Sequence, residues 1–79
     1  QGKLEKAIKK FSEIVAIYRE INHEVGLVQG LFSLGLLYEE KGNKLRAKEY
    51  FYEVLKINPD HIQARERVKP LQMRNDKIP

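Results

Sequence analysis

Cysteine is missing from all 79 residues, which excludes disulfides and thiolate-bound metal. Long apolar runs are missing too. None approaches the ~18 residues of a membrane-spanning helix, and no signal peptide is visible, so the expected compartment is the cytoplasm. The chain opens on Gln1 rather than methionine, a start compatible with removal of an upstream segment. Charge imbalance is small: 15 Lys and Arg against 11 Asp and Glu leave +4. That slightly favours acidic partners and falls well short of a nucleic-acid signature.

Catalytic chemistry is equally thin. His23 and His61, the two histidines, stand 38 positions apart without a partner at i+4, which suits turn capping better than metal binding or general-base work. Ser12 and Ser33 have no His or Lys placed locally to activate them. Glu39 and Glu40 are adjacent, and adjacent side chains on a helix point about 100° apart. They read as solvated or ligand-facing charge. Gly30 and Gly35 lie within one helical pattern rather than between a strand and a helix, so no phosphate-binding loop is present. The expectation is a non-enzymatic chain with no cofactor and no metal.

What the sequence does hold is helical periodicity, concentrated in residues 28–61, VQGLFSLGLLYEEKGNKLRAKEYFYEVLKINPDH. Leu27, Leu31, Leu34 and Tyr38 recur at i, i+4, i+7 and i+11, an apolar stripe down one helix face. Gly42-Asn43 interrupts it: glycine ends a helix by taking the left-handed conformation, and asparagine caps the next. Ala47, Phe51, Val54 and Leu55 form a second stripe, closed by Asn58-Pro59-Asp60. Two helices joined by so short a turn lie antiparallel and bury their stripes together. Gly30 and Gly35 each cost roughly 1 kcal/mol against Ala inside a helix, which implies close backbone approach, with small Ala47 as the counterpart of Gly35.

These residues resemble the tetratricopeptide repeat family. Its signature, W-x2-L-G-x2-Y followed by A-x3-F and P, is matched by Leu31, Leu34, Gly35, Tyr38, Ala47, Phe51 and Pro59, with Leu31 in place of Trp. The resemblance implies an all-α fold of antiparallel helix–turn–helix repeats, a fragment of an α-solenoid. At 42% hydrophobic and 33% charged residues the composition agrees, being that of a globular rather than a disordered chain.

Upstream, Leu4, Ala7, Ile8, Phe11, Ile14, Val15 and Tyr18 mark another helix. Gly2, Ala7 and Phe11 stand 40 positions before Gly42, Ala47 and Phe51. Residues 1–27 therefore read as the second helix of a preceding repeat plus a linker. The offset exceeds the ~34-residue period and resembles, more loosely, the longer repeats of kinesin light chain. Downstream, Asp60 is expected to cap a fourth helix over about His61 to Lys69, with Ile62, Arg65 and Val68 inward and Gln63, Glu66 and Arg67 outward. Residues 62–70 thus read as a capping helix ended or kinked at Pro70, and 71–79 as a flexible tail. About four helices are expected.

Function follows from the resemblance: a scaffold-type protein–protein interaction module. The first helix of each repeat in this family lines a concave groove, which here implies Gln29, Phe32, Ser33, Leu36, Glu39 and Glu40 as peptide-contacting residues. Phe32 and Leu36 lie opposite Leu31 and Leu34, where packing within the hairpin does not account for them. Phe32, Ser33 and Leu36 also stand where chaperone-binding members carry the Lys and Asn that grip a peptide carboxylate, so an apolar or amphipathic helical ligand fits better. The alternative is a structural segment that stacks or self-associates. Leu4, Ala7, Phe11 and Ile14 would then form a homo-oligomer contact, because their natural hairpin partner is absent. Lys3, Lys6, Lys9 and Lys10, and Arg65, Arg67, Lys69, Arg74 and Lys77, form basic surfaces. They read as solvated faces before they read as sites for anionic partners. Nucleic acid is disfavoured, since no aromatic platform interleaves with them.

Overall fold

Three short turns divide the chain, and each satisfies the orphan amides and carbonyls of the helix ends it joins. The computed structural model describes residues 2–71. Among these it shows four α-helices and no strand: α1 (Gly2–Glu20), α2 (Glu24–Lys41), α3 (Lys44–Ile57) and α4 (Ile62–Leu71). The all-α architecture is as the sequence implies. The expected tail lies, apart from Leu71, outside the described residues.

Gly42 ends α2 at φ +92°, a conformation that carries no Cβ penalty for glycine. Its N–H donates to the Glu39 carbonyl at 3.0 Å and that of Asn43 to the Tyr38 carbonyl at 2.8 Å, the paired bonds of a Schellman-type end. Asn43 then caps α3, its Oδ1 accepting from the Arg46 N–H at 3.1 Å. The α1–α2 turn repeats this plan with other residues. Asn22 takes the left-handed position at φ 57°, which asparagine tolerates better than most. His23 donates its N–H to the Tyr18 carbonyl at 3.0 Å, and its Nδ1 accepts from the Gly26 N–H at 2.9 Å.

The third turn differs from expectation. Asn58 Oδ1 accepts from the Asp60 N–H at 3.2 Å, and His61, not Asp60, caps α4: its Nδ1 accepts from the Ala64 N–H at 3.1 Å. Because α4 begins at Ile62, Asp60 stands one residue too far from the free amides. Pro70 lies inside the last turn of α4, not beyond its end. The inward stripe of α4 is Ala64 and Val68, both buried, while Ile62 is 71% exposed. Arg65, also expected inward, is exposed; at 100° per residue Ile62 lies about 200° around the helix from Ala64, so the two cannot share a face.

Each helix packs against its neighbours in sequence. The α1–α2 pair is antiparallel, with Glu5 near the start of α1 bridging Lys41 at the end of α2 at 3.2 Å. Alternate helices are tied as well: Arg19 to Glu53 at 2.6 Å joins α1 to α3, and Arg67 to Glu39 at 2.8 Å joins α4 to α2. The Cα atoms span 15 Å in the thinnest direction, the depth of two helix layers about 8–10 Å apart.

Leu31, Leu34, Ala47, Phe51, Val54 and Ala64 are exposed by 1% or less. At the centre α2 serves neighbours on two sides, and its glycines make this possible. A Cβ on Gly26 would stand 2.6 Å from the Tyr18 ring, and one on Gly30 2.7 Å from Val15 Cγ2, both on α1. A Cβ on Gly35 would run into the ring of Phe51 on α3. Phe51, rather than the expected Ala47, is therefore the counterpart of Gly35, because a ring fills the hollow that a missing side chain leaves.

Phe51→Ala should cost about 3–5 kcal/mol and Gly35→Ala about 1–3 kcal/mol through overpacking, although alanine is the better helix former. Urea unfolding midpoints check both, and a Gly35→Ala variant as stable as wild type would disprove the close approach. For the caps, His23→Ala and His61→Ala should each lose about 1 kcal/mol, and the corresponding Asn variants most of that less. Equal losses for Ala and Asn would show that ring packing, not the cap, is what the imidazoles contribute.

Candidate protein-interaction site

On α2, residues Gln29, Ser33, Leu36 and Glu40 fall along one line at helical spacing, between the side that meets α1 and the side that meets α4. Leu36, Glu39 and Glu40 border one surface hollow, together with Arg67 of α4. Arg67 was not singled out for the groove from sequence. It stands 28 residues from Glu39, on another helix, so no local spacing could have linked them. Gln29 borders a second hollow farther up α2, with Val25, Val28, Ile57 and His61. Ser33 lies between, half-buried.

Phe32 does not belong to the open face. Its ring stands 5.5 Å from that of Phe51 and 5.0 Å from that of His61, and both it and Leu36 pack against the Ala47–Phe51–Val68 cluster. Packing within the hairpin and against α4 thus accounts for Phe32, contrary to the reading from spacing. Leu36 is shared: it touches the core and lines the hollow.

On α1, Ile8 and Val15 are buried against α2. Leu4, Ala7, Phe11 and Ile14 are each half-buried, so the drive to cover them is weaker than full exposure would give. Leu4 and Phe11 touch the edge of the core.

A third cluster joins α2 to α3. Tyr38 and Tyr50 stack at 5.6 Å with 17° between planes, and the Arg46 guanidinium lies 5.5 and 5.6 Å from their ring centres. A hydrogen bond to Tyr38 and the neighbouring phenols hold Arg46 more firmly cationic. Burial raises the Tyr50 phenol above its ordinary pKa, with Arg46 opposing. Tyr52 is 40% exposed, so one of the two tyrosines flanking Phe51 faces inward and the other outward. Among the described residues no cluster of three or more His, Cys, Asp or Glu is arranged for a metal. No described helix is long and apolar enough to cross a membrane.

Antiparallel helix pairs stacked in two layers, with an open face on the central helix, define a helical-repeat protein. The family model for the tetratricopeptide repeat matches residues 28–61, and this segment is a tetratricopeptide repeat. Searches of curated proteins and of solved structures find no match to the chain. Tetratricopeptide repeats are in general protein–protein interaction modules, and the family is typically non-enzymatic.

Proposed function

We propose that the chain binds a helical segment of a partner protein along the α2–α4 face. The observation that carries this is the hollow where Leu36, Glu39, Glu40 and Arg67 meet. An apolar side chain there is flanked by charge, the arrangement that takes an apolar anchor and orients it by its polar neighbours. Arg67 already neutralises Glu39 at 2.8 Å, which leaves Glu40, exposed, to select basic residues on the ligand. Gln29 and Ser33 extend the same face toward the start of α2 and supply polar contacts. The 40-residue offset between Phe11 and Phe51 supports assigning the repeat to the longer-period type, with the chain a scaffold segment.

A second reading, stacking on other repeats or on a second copy, draws on the half-covered seam of Leu4, Ala7, Phe11 and Ile14. It places the main contact on α1 rather than on α2.

A basic amphipathic peptide titrated against the labelled chain should shift the amide signals of Leu36, Glu39, Glu40 and Arg67. Leu36→Ala should weaken its binding by about 1 kcal/mol or more, with circular dichroism confirming that the helices persist. Glu40→Lys should weaken it without touching the core, and Lys9→Ala should leave it unchanged. Phe32 is a poor probe because its loss would disturb the core. Shifts confined to α1, or no difference between Glu40→Lys and Lys9→Ala, would refute the groove.

A further inference from the structure

The α2–α4 face carries two hollows, and the position of one repeats that of the other. Val25, Val28 and Gln29 of α2 border the upper hollow, together with Ile57 and His61. Leu36, Glu39 and Glu40 border the lower one, together with Arg67. Each of the first three stands 11 positions before one of the second three. Eleven residues bring a helix round to within about 20° of its starting direction and advance it roughly 16 Å. The two hollows are therefore the same sector of α2 met twice, three turns apart. Val25 is 67% exposed, a branched apolar side chain at the mouth of a hollow that Val28 and Ile57 also line.

His61 gives the upper hollow its far wall. Its Nδ1 is engaged in capping α4, accepting from the Ala64 N–H at 3.1 Å, and its ring lies 5.0 Å from that of Phe32. Cap and ring contact together hold the imidazole, half-buried, at the edge of the hollow. Acidic groups stand at both ends of the face. Glu24 also borders the upper hollow and Glu40 the lower, and both are exposed. Among the described residues neither makes an ion pair.

We propose that the upper hollow is a second anchor site, and that the ligand is a partner helix with two apolar side chains 11 residues apart and a basic residue beyond each. This rests on the helical ligand proposed for the α2–α4 face and adds its spacing and its end charges. A helix lying along α2 rises by the same amount per residue, so its side chains at i and i+11 share a face and reach both hollows. One anchor meets Val25, Val28 and Ile57, and the other meets Leu36. Glu24 and Glu40 then receive the bases at the two ends. A second copy of the chain is a poor occupant. Two copies meeting face to face would set Glu24 against Glu40 of the other, or each against its equivalent, and like charges at an interface disfavour it.

The test uses two synthetic helical peptides of roughly five turns, identical in composition and with lysines at both ends. One carries leucines at i and i+11; the other carries them at i and i+9, which places them on opposite faces. The first should bind the labelled full chain at least about fivefold more tightly and shift the amides of Val25, Gln29, Leu36 and Glu40 together. Val25→Ser, at an exposed position that leaves the core alone, should remove that advantage without changing the affinity of the second peptide. His61→Asn keeps a side chain that caps α4 but removes the ring, and should do the same. His23→Asn, the same exchange at the α1–α2 turn, should not. Glu24→Gln and Glu40→Gln should each lower the affinity, less so at high salt. Equal binding of the two peptides overturns the proposal. If Leu36→Ala weakens both peptides and Val25→Ser neither, the groove stands with one anchor and this inference falls. If neither substitution weakens them, both readings fall. Sedimentation showing self-association that Val25→Ser abolishes would make the occupant a second copy, which also overturns the proposal.

Discussion

Phe51 occupies the space that Gly35 leaves open, and the placement of the other helices depends on that fit. The ring is completely buried, with α2 on one side and Val68 of α4 on the other. A side chain on position 35 would hold α2 and α3 apart. The same device acts on the other flank of α2, where Gly26 and Gly30 admit Tyr18 and Val15 of α1. Three glycines in one helix weaken it in isolation. They are tolerated because a central helix is stabilised by what packs on it rather than by its own propensity.

This central position explains how the surfaces divide. α2 is apolar on most of its circumference, since α1, α3 and α4 each take a sector, and only a narrow strip from Val25 to Glu40 remains for a ligand. α1 has one covering neighbour and so keeps a half-covered seam, whereas α3, between α2 and α4, has none.

Surface ion pairs contribute little to holding this arrangement. Arg19–Glu53 and Arg67–Glu39 join alternate helices, but the side chains are a quarter to a half exposed, and such pairs are worth about 0–1 kcal/mol. The caps matter more locally. His23 and His61 each satisfy a helix-end amide through Nδ1, a use of histidine that neither metal nor acid–base chemistry requires.

The helices and the repeat were legible in the sequence because they depend on near neighbours. Stripes at 3.6-residue spacing, Gly42 with Asn43 as a stop and a start, and the signature from Leu31 to Pro59 are all local patterns. The tertiary structure decided what lies across from what. The resemblance implies Phe32 as a groove residue, yet it packs, partly buried, against the Ala47–Phe51–Val68 cluster. Gly35 reads as a match for Ala47, yet the ring one turn farther along α3 reaches it. Arg67 joins the Glu39 hollow from another helix, 28 residues away. Helical periodicity states which side of a helix is apolar. Which neighbour covers each sector is set by the angle at which helices cross and by the volumes that meet there, and those exist only once the chain has packed.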